Sequence, residues 1–217
     1  MEKVATTLAD GVYTIELNDP PANTYSYEMM RELDEAVLAA RLDPNVHVIV
    51  MRGAGEKFFC AGANIGMLEK ADPEFKYYFC LHANETLNRL EQTPKLVIAA
   101  LNGHTVGGGL EVALACHYRV AVPSAKLGTP EVKLGLLPGA GGTQRLPRVA
   151  GVKKALEMCA TGNPISAKEA FACGLVDRLG EGELIPHAVG YAEEVRNVRP
   201  NPKSSERQSK IAECDPS

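Results

Sequence analysis

Residues 96–101 read Leu-Val-Ile-Ala-Ala-Leu, an unbroken apolar run closed by Asn102-Gly103 and followed by Gly107-Gly108-Gly109. A strand with no polar face needs cover on both sides, which is the mark of a mainly parallel sheet flanked by helices. The triple glycine then lets the chain turn sharply into residues 112–116, an apolar segment read as a buried helix. The same order occurs one step earlier, with a strand over 46–51, the glycine loop Arg52-Gly53-Ala54-Gly55 and a longer helix over 73–91 carrying Phe79, Leu87 and Leu90 inward. Strand, glycine loop and helix in repetition predict an α/β fold.

The rest of the chain fits that plan. Residues 12–17 have strand composition and stop at Asn18-Asp19-Pro20-Pro21, because prolines cannot donate to a sheet ladder. Ser26 is placed to N-cap a helix whose inner stripe is Met29, Leu33, Ala36, Val37 and Ala40, ending at Asp43-Pro44. Another strand is expected over 118–122, then an irregular glycine-rich stretch over 128–142. From Thr143 the spacing turns helical at 146–149, 153–160, 167–173 and 184–195, with one short extended stretch at 174–177. Residues 1–198 are read as one domain, with its helical region from about 143, and the proline- and serine-rich residues 199–217 as a flexible tail.

Composition narrows the function classes. The 27 acidic and 23 basic residues, net charge −4, are spread without a sustained basic block, which argues against nucleic acid as a partner. Six cysteines stand singly, with no C-x-x-C pair and no zinc spacing, and read as reduced thiols. The start lacks the apolar core of a signal peptide and no run approaches a membrane span, so a soluble, cytoplasmic protein without a membrane partner is expected. No G-x-S-x-G, H-E-x-x-H or P-loop lysine is present.

Two carboxylates stand out. Glu111 follows Gly107-Gly108-Gly109-Leu110, and Glu131 follows Gly128-Thr129-Pro130, each just behind a turn that opens a helix. Acids in a first helical turn complement the macrodipole, and Thr129-Pro130-Glu131 reads as N-cap, N1 and N2. Paired across one cavity beside exposed backbone N–H groups, the same residues are equipment for acid–base chemistry next to a stabilised oxyanion.

The blocks 59–65, 102–103 with 107–111, 130–131 and 138–146 follow one another in an order that resembles the crotonase, or enoyl-CoA hydratase/isomerase, superfamily over roughly residues 4 to 198. The resemblance implies a spiral of ββα units followed by helices that mediate trimers or a hexamer, with the chain stopping short of the family's usual terminal helices. It implies an oxyanion hole from the backbone N–H groups of Ala63 and Gly108, catalysis by Glu111 and Glu131 sharing one water, and a Gly139 N–H near that water. It places Ala61, Ala63 and Ile65 against the adenine of coenzyme A, Lys57 near its phosphates, and Met67 and Leu68 at the acyl pocket. His104 is expected to hydrogen-bond locally, and Asn64 stands where the family often has aspartate. The reaction implied is syn hydration of a trans-2-enoyl-CoA with no metal and no cofactor beyond the substrate's own coenzyme A. Double-bond isomerisation or another acyl-CoA reaction stays open, as does a partner-dependent, non-catalytic subunit.

Overall fold

Asp10 and Gly11 both adopt positive φ, +50° and +78°, a pair that suits a two-residue hairpin turn. The turn joins β1 (Val4–Ala9) to β2 (Val12–Leu17) in antiparallel register, Ala9 opposite Val12. Only the second of these strands is expected from the sequence, because β1 carries little apolar character past Val4. The computed structural model describes residues 2–213.

After the proline stop, Ser26 caps α1 (Tyr27–Leu42) by accepting the Met29 N–H, and the inner stripe is Met29, Met30, Leu33, Ala36, Val37 and Ala40. Then come β3 (Val48–Gly53), β4 (Phe58–Cys60), α2 (Ile65–Lys70) and α3 (Pro73–Glu91). The next turn is β5 (Leu96–Leu101), β6 (His104–Val106) and α4 (Gly108–Ala115). After it follow β7 (Tyr118–Ala121), β8 (Lys126–Gly128) and a five-residue 3-10 turn, Pro130–Leu134. The helical region is α5 (Gly142–Ala150), α6 (Val152–Thr161), the short β9 (Ile165–Ser166), α7 (Ala167–Ala172), β10 (Arg178–Leu179), α8 (Leu184–Val195) and α9 (Ser209–Ala212).

The chain alternates between two sheets. β3, β5, β7 and β10 enter a six-stranded sheet ordered β1-β2-β3-β5-β7-β10, and β4, β6, β8 and β9 form a four-stranded one in that order. Apart from the β1–β2 hairpin, the larger sheet is parallel throughout. Each ββα turn thus gives one strand to each sheet, the repeat that the family resemblance implies. All six residues of β5 are buried, and all eight of α4, so the strand and helix of the second turn form the centre of the molecule. Layers this close demand glycine: a Cβ on Gly109 would lie 2.1 Å from the Cys60 carbonyl oxygen.

Buried polar groups are paired around this centre. His117 accepts the Val97 N–H on Nδ1 at 2.9 Å, which leaves Nε2–H to donate to the Glu91 carbonyl at 3.1 Å. Burial holds its pKa down at about 4, so the ring is neutral. Fully buried Arg119 binds Asp177 at 3.1 Å and the Leu175 and Cys116 carbonyls.

Three expectations are corrected. The strand near 174–177 lies at Arg178–Leu179 instead, because the N–H groups of Gly174, Leu175 and Val176 donate back to the Phe171 and Ala170 carbonyls and make these residues a turn. Thr129 stands at the N-cap position of the 3-10 turn, but its side chain makes no capping bond and lies against Cys159 Sγ at 3.7 Å. Residues 199–213 are not a flexible tail. Ser205 donates its N–H and hydroxyl to the buried Glu91 carboxylate at 3.0 and 2.7 Å, Asn201 donates to the Pro94 carbonyl at 3.0 Å, and Lys210 binds the Cys173 carbonyl. Polar composition misreads this segment because its anchors are hydrogen bonds to buried groups rather than apolar contacts. Residues 214–217 of the expected tail lie outside the described residues.

Candidate active site

The site is built where the second ββα turn meets the loops after β4 and β8. Gly107 takes φ +58°, and α4 opens immediately behind it with its first N–H groups unsatisfied by any side-chain cap. Such a helix start favours negative charge. Asn64 supplies the neighbouring local order: its Oδ1 accepts the Met67 N–H at 2.9 Å and caps α2, a role open equally to the family's aspartate. Ala63 is thereby held at the edge of the same cavity, and Gly62 packs so tightly on the glycine turn that a Cβ there would sit 2.9 Å from the Gly108 nitrogen.

The cavity has a volume of about 540 Å³, and Ala63, Gly108, Glu111, Glu131 and Gly139 all line it. Glu111, one turn into α4, is 2% exposed, and its Oε1 accepts the Ala140 N–H at 2.8 Å and the Gly142 N–H at 2.7 Å. Burial raises this carboxyl to about 7; the Gly142 and Ala140 N–H groups oppose the rise and the charge of Glu131 adds to it. Glu131 is half-buried on the 3-10 turn, its Oε2 is enclosed without a hydrogen-bond partner, and burial raises its pKa as well. A Cβ on Gly107 would lie 3.4 Å from Glu131 Oε1, so this carboxyl closes over the glycine turn. Both carboxyls of this cavity are thus held above the ordinary carboxylate range, and Glu111 feels the charge of Glu131.

The remaining expected residues divide. Ala61, Ile65 and Leu68 line the cavity. Met67 does not; it packs against the hydrophobic core, as Leu68 also does. Lys57 is exposed with its ammonium 5.7 Å from the Phe58 ring, away from the cavity wall, and the lysine bordering the cavity is Lys76 of α3. His104 stacks edge-on against Phe58 at 5.4 Å and lies outside the cavity. Gly139 contributes wall and accepts the Asn84 side-chain N–H at 2.8 Å, whereas the N–H groups that reach Glu111 belong to Ala140 and Gly142. Those two and Tyr25 escaped sequence reasoning. Nothing marks Tyr25 in the sequence beyond its place before the cap Ser26, but Ala140 and Gly142 fall within the same glycine block as Gly139.

Among the described residues, no group of three or more His, Cys, Asp or Glu gathers as a metal site, and no helix is long and apolar enough to cross a membrane.

The chain is similar to known proteins over most of its length. The family described as Enoyl-CoA hydratase/isomerase matches residues 7–206. A probable enoyl-CoA hydratase of Bacillus subtilis (strain 168) is 38% identical over 208 residues, covering 94% of this chain and 80% of that protein. A crotonyl-CoA hydratase of Syntrophomonas wolfei is 40% identical over 172 residues, 78% of this chain and 66% of its own length. The crystal structure of an enoyl-CoA hydratase from Geobacillus kaustophilus HTA426 superposes with a TM-score of 0.87 at 42% identity, covering 91% of this chain and 75% of that one. A chain matched over nearly its whole length in sequence and in fold belongs to the enoyl-CoA hydratase/isomerase family of the crotonase superfamily.

Proposed function

We propose that the protein is a hydro-lyase, an enoyl-CoA hydratase that adds water reversibly and syn across the double bond of a trans-2-enoyl-CoA to give a 3-hydroxyacyl-CoA. The observation that carries this reading is the carboxyl pair: Glu111 raised to about 7 with Oε1 tied to two N–H groups, facing the same cavity as Glu131 with its free, buried Oε2. Hydration needs one carboxylate and one carboxylic acid at once, and a coupled pair supplies that state near neutral pH. In this reading one water lies between the two carboxyls. Glu111 takes a proton from it as its oxygen bonds to C3, the C2–C3 π electrons move toward the thioester, and Glu131 delivers its proton to C2 on the same face. Negative charge developing on the thioester oxygen meets the N–H groups of Ala63 and Gly108, where one donor of this kind is worth about 2.7–4 kcal/mol in other enzymes. The chemistry calls on no metal or redox cofactor, since the substrate's own thioester is the electron sink. The subunit is proposed to act as a trimer or hexamer.

The test follows the loss of conjugated thioester absorbance on adding the protein to crotonyl-CoA. Glu111→Gln and Glu131→Gln are each expected to reduce kcat by about 10³-fold or more, by loss of general acid–base catalysis. Wild-type turnover no faster than either variant would reject the assignment. Isomerisation needs only one shuttling carboxyl, so rapid conversion of a 3-enoyl-CoA to its 2-enoyl isomer with negligible hydration would replace it with the isomerase reading.

A further inference from the structure

One side chain in the cavity has no part in the chemistry above. Tyr25 lies between β2 and α1 and is 6% exposed. Its backbone is tied to the segment that carries Ala63: the Tyr25 N–H donates to the Gly62 carbonyl at 3.0 Å, and its carbonyl accepts the Asn64 N–H at 2.9 Å. Tyr25 and Ala63 form a parallel bridge. From there the side chain crosses to the glycine turn, where a Cβ on Gly108 would lie 2.1 Å from Tyr25 Oη and 2.6 Å from Cε1. The phenol therefore spans the ground between the two backbone donors, and Phe79 packs on its ring at 5.8 Å to hold it there.

Tyr25 is one of the residues that line the cavity. Burial first, and then the acidic groups of Glu111, Cys60, Cys80 and Glu131, raise its pKa well above the ordinary value. It is an O–H at every physiological pH and has a proton to donate. Phenylalanine would fill the same space without a hydroxyl, so the O–H of Tyr25 is the feature available to an acceptor that enters the cavity.

We propose that Tyr25 is a third hydrogen-bond donor to the acyl thioester oxygen, acting beside the N–H groups of Ala63 and Gly108. The assignment rests on the hydratase reading. Tyr25 breaks no bond and transfers no proton; it stabilises charge as the enolate develops, and Gly108 must be glycine partly to admit the phenol.

Tyr25→Phe removes only the hydroxyl and leaves the packing on Phe79. With crotonyl-CoA, kcat is expected to fall about 10- to 100-fold while KM stays within about twofold, since the contact strengthens only in the transition state. A second readout needs no turnover: 4-hydroxybenzoyl-CoA has a conjugated carbonyl and no double bond to hydrate, and its absorption should shift to the red on binding wild-type protein and less on binding Tyr25→Phe. Equal red shifts would overturn the proposal, including the case in which kcat alone falls, because the hydroxyl would then serve the water rather than the carbonyl. Wild-type protein that fails to hydrate crotonyl-CoA would reject the hydratase reading instead, and the spectral comparison would still decide Tyr25.

Discussion

Glu111 shows what this site costs the fold. A carboxyl that titrates near 7 in the folded protein and near 4.5 in the unfolded chain binds more protons in the folded state between those pH values. Its stability contribution is therefore intact below about 4.5 and is lost as pH rises toward 7, a penalty on the order of 1–3 kcal/mol at pH 8. Glutamine keeps an oxygen for the Ala140 and Gly142 N–H groups and carries no charge to bury. Glu111→Gln should thus melt at a higher temperature than wild type at pH 8 and close to it at pH 4.5, while losing activity; thermal melts at the two pH values measure the difference. The pH profile of kcat/KM should carry an alkaline limb near 7, as the pair loses its last proton. Replacing Glu131 with glutamine should move the titration of Glu111 downward, because the Glu131 charge contributes to its rise.

At the level of elements, a six-residue helix decides whether the proposed oxyanion hole is ordered. α2 exposes most of its surface and buries none of its residues fully, so the Asn64 cap carries much of its stability. Asn64→Ala should cost about 1 kcal/mol by loss of that cap and lower kcat with crotonyl-CoA several-fold by loosening Ala63. Asn64→Asp should leave both near wild type, since aspartate accepts the same Met67 N–H. Chemical denaturation and steady-state kinetics on the two variants separate these outcomes. Helix α1 and strand β5 were legible in the sequence because their stripe and their apolar run survive as local signals. The strands β4, β6, β8 and β9 were not, being two or three residues long and held by neighbours remote in the chain.

For the molecule as a whole, the C-terminal segment is a structural part. The Glu91–Arg145 pair, 3.1 Å apart and nearly inaccessible, has Ser205 as a third member. Burial pushes the Glu91 carboxyl up, and Arg145 with Ser205 outweighs it, leaving the pKa below the ordinary value. Deleting residues 199–217 would open that pair to a partly satisfied state, and the truncated protein should lose on the order of 1–3 kcal/mol of stability in denaturant titration. At the cavity mouth, Leu134, Leu136 and Leu137 remain exposed, Leu137 at 77%. Assembly into trimers or hexamers would cover such a patch, so sedimentation should give a mass of at least three subunits, and a monomer at micromolar concentration would contradict it.

Residues 59–65, 107–111, 130–131 and 138–146 by themselves determined the superfamily and singled out the glutamate pair and the two proposed backbone donors, because spacing along the chain carries the order of those blocks. Periodicity determined the parallel sheet and the helices that cover it. Only the tertiary structure decided that Tyr25 lies against both Ala63 and Gly108, that Ala140 and Gly142 rather than Gly139 bind Glu111, that Lys76 rather than Lys57 borders the cavity, and that Ser205 docks on Glu91. Each of these depends on which groups meet across long stretches of chain. Local patterns of apolar and polar residues hold no record of such meetings.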